Sequence, residues 1–129
     1  MATIKSYTDL SQSKTLNKIL PLESADMHYS KDFDGSWFVD LDEYTSVKIP
    51  KYVVNIEEHL LPCWSLASLL DIIKKTIGYT LQTTYNKDPK VFIVCELDEK
   101  PYSIASLECD NEVDACVAMI EKLHELNLL

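Results

Sequence analysis

Apolar residues recur at spacings of three and four over two stretches of the chain. Leu66, Leu69, Leu70, Ile73 and Ile77 fall on one face of a helix expected over 66 to 77, with Lys74 and Lys75 near its C-terminal dipole and Gly78 as a left-handed cap. Val113, Cys116, Val117, Ile120, Leu123 and Leu126 form a second such stripe, opened by Asn111 or Asp110 as N-cap. A first, less amphipathic helix is expected from Asp9 to Leu20, capped by Thr8 and ended by Pro21.

Between the helices the period changes to two. Met27 to Lys31 and Ser36 to Leu41 read as strands of a hairpin across an Asp34-Gly35 turn. Tyr79 to Tyr85, Lys90 to Leu97 and Tyr102 to Leu107 read as three more strands. Their short connections imply an antiparallel meander, and the apolar run VFIVC belongs in its centre, covered on each side. Residues 42 to 61 resist assignment, since Tyr52, Val53, Val54 and Ile56 favour a strand while Pro50 and Glu57-Glu58 break it. The pattern therefore predicts one α+β domain over 1 to 129. Its antiparallel sheet is a three-stranded meander plus an N-terminal hairpin, packed by about three helices.

Composition narrows the function. With 129 residues and 47% hydrophobic content, the chain can bury one core. Its 12 basic against 21 acidic residues leave a net charge of −9 with the lysines scattered, so nucleic acid is not an expected partner. The first twenty residues lack a basic start followed by an apolar core, and the longest apolar run, 60 to 73, is interrupted by Pro62, Ser65, Ser68 and Asp71. A cytoplasmic protein without a membrane span is expected. Its four cysteines, at 63, 95, 109 and 116, are then expected as free thiols, mostly buried.

The candidate chemistry centres on Cys63 in HLLPCWSLASLLDIIKK, where a thiol just ahead of a helix start could be activated by the dipole. The flanking residues offer a plainer reading. Ser65 is a good N-cap, Trp64 and Leu69 have hydrophobic-staple spacing, and position 63 then needs only a small residue that tolerates burial. His59 is the only local base, and Leu-Leu-Pro between the two provides no geometry to unite them.

The acidic run DFDGSWFVDLDE fails as a calcium loop, because aligning Gly35 with the sixth position puts Leu41 where a bidentate Glu belongs. Asp32, Asp34, Asp40 and Asp42 then read as surface charge, with a phosphate-like row of these four and Glu43 as the alternative. No CxxC, HxxxH or HExxH spacing occurs among three histidines and four cysteines, and Gly35 and Gly78 belong to no phosphate-binding motif. No metal and no cofactor are expected. Tyr79, Tyr85 and Tyr102 are explained by cross-strand packing.

The segments SADMHY at 24 to 29, LPCWSLASLLDII at 61 to 73 and NEVDACVAMIEKLHELNLL at 111 to 129 resemble a group of small uncharacterised proteins of gut Bacteroidetes genomes, often in phage-like or mobile-element regions. The resemblance implies an accessory protein of a mobile element or its host and brings no activity or ligand with it. In that group Ala stands as readily as Cys between the Pro and Trp, which weighs against a catalytic Cys63. The chain is thus expected to be a non-enzymatic protein-interaction module with a protein partner or as a homo-oligomer. The alternatives are a small ligand-binding domain, a cysteine-dependent enzyme using Cys63, or an acidic nucleic-acid mimic.

Overall fold

The computed structural model of the chain describes residues 5–47, 58–84, 86–98 and 102–129. The chain has an α+β fold, with three α-helices and two three-stranded antiparallel sheets among the described residues. It divides into two compact units: Tyr7–Ser68, and Leu69–Leu129 together with Met1–Ser6.

The first unit starts with α1, Leu10–Asn17. Its N-cap is Asp9 rather than Thr8: the Asp9 carboxylate accepts from the Gln12 N–H at 2.8 Å, and Gln12 Oε1 accepts from the Asp9 N–H at 3.1 Å. This is a reciprocal capping box, which needs a Glu or Gln three residues after the cap, and only Asp9 has one. The helix ends at Asn17, and Lys18 to Leu20 complete a final turn bonded to Thr15 and Leu16 carbonyls ahead of Pro21.

Strands β1, Met27–Lys31, and β2, Trp37–Asp40, form the expected hairpin. Asp32 N–H bonds the Ser36 carbonyl at 2.8 Å and Gly35 N–H bonds the Asp32 carbonyl at 3.0 Å, so the loop is three residues long. Gly35 takes its left-handed position at φ +87°, where a side chain would be strained. A third strand, β3, Leu60–Cys63, was not foreseen; it pairs with the other side of β1 to give the order β2-β1-β3. Pro62 is tolerated because it faces His28 at a non-hydrogen-bonded pair, as the neighbouring Lys31 N–H to His59 carbonyl bond sets the ladder's phase. Its missing N–H then falls on the open edge. Met27, Tyr29, Leu61 and Cys63 form this unit's buried cluster, with Tyr7, Leu10, Trp37 and Val39 packed on it, and α1 lies against β3.

Helix α2, Leu66–Thr76, starts in the first unit and continues into the second. Ser65 caps it as expected, its Oγ accepting from the Ser68 N–H at 3.2 Å. Leu69 and Ile73 are fully buried, while Leu70 and Ile77 are half-buried. Gly78 is not a left-handed cap, since Gly35 has the only positive φ among the described glycines. The Gly78 carbonyl instead accepts from the Glu96 N–H at 3.2 Å, which starts the second sheet.

That sheet is the expected meander, β4 Tyr79–Thr83, β5 Val91–Glu96 and β6 Ser103–Ala105, with β5 central. Val91, Ile93 and Cys95 are buried on the face that meets α3, whereas Phe92 and Val94 are half-buried. Helix α3, Glu112–Glu125, is capped by Asn111, whose side chain accepts from the Asp114 N–H at 2.9 Å. Its apolar stripe is wider than the repeat implied, taking in Ala115 and Met119, and it stops at Leu123; Leu126 is 47% exposed. The helix closes on Asn127 at φ 58°, with Leu128 N–H to Leu123 carbonyl and Asn127 N–H to His124 carbonyl bonds, a Schellman arrangement. Cys109 lies ahead of the helix, in a β-bridge with Val91, and not on it.

Candidate functional site

Cys63 ends β3 with no exposed surface. Its Sγ donates to the Thr8 carbonyl at 3.6 Å and accepts from Thr8 Oγ1 at 3.6 Å, and burial pushes its pKa up against the smaller opposing pull of the Thr8 bond. The dipole activation that its position invites does not operate, because desolvation of the thiolate dominates. His59 is exposed in the turn before β3, four residues and therefore about 13 Å along an extended chain from Cys63. The structure does not bring the pair together.

Thr8 is the residue that sequence reasoning misplaced. It is fully buried, and its Oγ1 accepts from the Trp64 N–H at 3.2 Å and lies 2.8 Å from Ser13 Oγ. The Thr8 carbonyl accepts from the Tyr29 hydroxyl at 2.7 Å, and burial raises the Tyr29 pKa. Nearby, Asp26 accepts from the Ser65 N–H at 2.9 Å and from the Ser65 hydroxyl, tying the α2 cap to the start of β1. These are satisfied hydrogen bonds joining α1, β1 and β3. No buried side-chain nitrogen or oxygen among the described residues lacks a hydrogen-bond partner.

The acidic residues divide between the two ends of the hairpin. Asp32 and Asp34 are exposed at its tip, where Asp32 accepts from the Phe33 N–H at 2.7 Å and Asp34 from the Ser36 N–H at 2.9 Å and the Ser36 hydroxyl at 2.5 Å. The hydroxyl bond holds the Asp34 carboxyl below its ordinary pKa. Asp40 ends β2 and Asp42 lies just past it, the two joined by the Asp42 N–H to Asp40 carboxylate bond at 3.3 Å, and the Asp42 carbonyl is 2.7 Å from His28 Nδ1. Trp37, Phe38 and Val39 separate the two groups by about 13 Å of strand, so they make no continuous phosphate-like row. No three metal-binding side chains converge among the described residues.

The hairpin's unusual feature is apolar. Phe33 at the tip has a relative exposure of 108%, Leu41 just past β2 has 78% and Phe38 has 49%. Trp37 is half-buried, with Lys31 Nζ 5.8 Å from its ring centroid. The hairpin's inner face supplies Tyr29 and Val39 to the buried cluster, whereas Phe33 and Leu41 remain largely in solvent. In the second unit, an open depression of about 240 Å³ is lined by Ser106, Leu107, Ala118, Glu121, Lys122 and Glu125; it has no cysteine or histidine, the Ser106 hydroxyl is bonded to the Ile93 N–H and the Leu107 carbonyl, and Lys122 Nζ donates to the Ala105 carbonyl. The uncertain segment's residues 48–57 lie outside the described part.

No protein-family model matches the chain, and no match was found among curated proteins or solved structures. Among the described residues, no helix is long and apolar enough to cross a membrane.

Proposed function

We propose that the chain is a non-enzymatic protein-interaction module that engages its partner through the β1–β2 hairpin. The observation that carries this reading is Phe33, fully exposed at the tip of an ordered hairpin whose loop is held by Asp32, Asp34 and Gly35. Burying one such ring in a partner contributes about 2 kcal/mol, and Phe38 and Leu41 extend the contact along the same hairpin. Asp32 and Asp34 at one end, with Asp42 and Glu43 at the other, favour a partner that is apolar at its centre and basic at its rim. Four unpaired cysteines support a reducing compartment, in keeping with a cytoplasmic accessory protein of a mobile element or its host.

The test places a photo-crosslinking residue at Phe33 in cells producing the chain, with exposed Glu23 as the control position. A single protein adduct at 33, absent at 23 and lost in the Phe38→Ser, Leu41→Ser background, is the expected result. Equal or absent crosslinking at both positions would defeat the proposal.

A further inference from the structure

We propose that the free edge of β4 is a self-association surface, pairing antiparallel with β4 of a second copy about a two-fold axis at Leu81 to form a continuous six-stranded sheet. The inference is independent of the hairpin reading. The Thr84 N–H to Lys90 carbonyl and Glu96 N–H to Gly78 carbonyl bonds put the even-numbered residues of β4 in hydrogen-bonded pairs with β5. The N–H and C=O groups of Tyr79, Leu81 and Thr83 therefore point away from β5, along an edge where residues 80 to 83 are all exposed.

Other strand edges among the described residues are blunted in ways proteins commonly use against pairing. On β3, Pro62 faces the edge and Thr8 N–H already bonds the Trp64 carbonyl at 3.0 Å. On β6, only three residues long, the Ala105 carbonyl is taken by Lys122 Nζ at 2.9 Å. The four-residue β2 ends in Asp40. In contrast, β4 reads YTLQT, five residues with no charge, proline or glycine. In a chain of net charge −9, an uncharged edge removes the local like-charge repulsion that would oppose two copies meeting there.

The register is self-complementary. A two-fold at Leu81 sets Leu81 opposite its own counterpart and Tyr79 opposite Thr83, and each of these residues presents outward backbone groups, so all three pairs are hydrogen-bonded. Leu81 lies across from Ile93 and so on the face whose β5 residues are buried, yet it remains 40% exposed. The second copy's Leu81 would complete that apolar face.

Sedimentation equilibrium from micromolar to sub-millimolar concentration tests the proposal on the whole chain. The wild type is expected to show twice the monomer mass at the upper end, with association strengthened by salt as the overall repulsion is screened. Leu81→Lys, which puts two ammonium groups face to face, and Thr83→Pro, which deletes an outward N–H without touching the β5 ladder, are each expected to be monomeric with wild-type circular dichroism. In a Cys109→Ser background, Leu81→Cys should crosslink on oxidation, since paired Cα atoms would lie about 5.5 Å apart, whereas the off-register Gln82→Cys should not. A monomeric wild type throughout the range, dimers that survive both edge variants, or equal crosslinking at 81 and 82 would overturn it.

Discussion

Replacing Thr8 by Val keeps the side chain's shape and removes only its hydroxyl, which makes the buried hydrogen-bond node measurable. The hydroxyl accepts from the Trp64 N–H and shares a hydrogen with Ser13 Oγ, and both Thr8 and Ser13 are fully buried. Stranding a buried donor costs about 1–3 kcal/mol. The Trp64 amide bears that cost in full, whereas the Ser13 hydroxyl can turn to a carbonyl one turn back in α1, so its share is smaller. The expected loss is about 2–3 kcal/mol, a large fraction of the ~5–15 kcal/mol of a typical domain. In urea, with a slope of about 1–3 kcal/mol/M, that moves the midpoint by about 0.7–3 M. Thr8→Ser retains the hydroxyl and gives up one methyl, for about 1 kcal/mol. Adding Ser13→Ala to Thr8→Val should cost less than the two separate losses combined, because each single substitution already removes the one bond the two hydroxyls share. Equal destabilisation by Val and Ser at position 8 would refute the node as described.

Three further outcomes follow from the buried thiols and helix ends. Iodoacetamide should modify half-buried Cys109 first and leave Cys63, Cys95 and Cys116 untouched until denaturant unfolds the chain; rapid native alkylation at Cys63 would return it to candidacy as a nucleophile. Burial pushes the Cys116 pKa up to about 12, above its unfolded value of about 8.5, so the folded state holds a proton that the unfolded state releases. Its stabilising effect is therefore complete below about pH 8.5 and is lost as pH rises toward 12, by about 1.4 kcal/mol per pH unit. Cys116→Ala should flatten the alkaline fall in urea midpoint, and an unchanged slope would contradict the assignment. At the end of α3, Asn127→Gly should stabilise by a few tenths of a kcal/mol and Asn127→Val destabilise by about 1–2 kcal/mol in thermal melts, because β-branched residues oppose a φ near 58°. The same melting temperature for both variants would exclude the left-handed cap.

Local chemistry made much of this fold legible in the sequence. The 3- and 4-spacing of Leu66 to Ile73 and Val113 to Leu123, the Asp34-Gly35 turn, the meander around VFIVC and the caps at Ser65 and Asn111 each depend on residues a few positions apart. Even the misread cap of α1 was available locally, since Asp9 with Gln12 makes the capping box that Thr8 lacks. Gly78 was different: glycine permits a left-handed turn without requiring one, and here the chain passes directly from α2 into β4.

The sequence by itself therefore determined the helices, most strands and the antiparallel order of the meander, because periodicity and turn residues act over short distances. Tertiary structure alone decided that Leu60–Cys63 would pair with β1, that Thr8 would be a buried junction, and that Cys63 and His59 would end in different environments. It also decided that Phe33 and Leu81 would be left exposed. Strand pairing, desolvation and exposure depend on partners supplied from tens of residues away, and no local pattern carries that information.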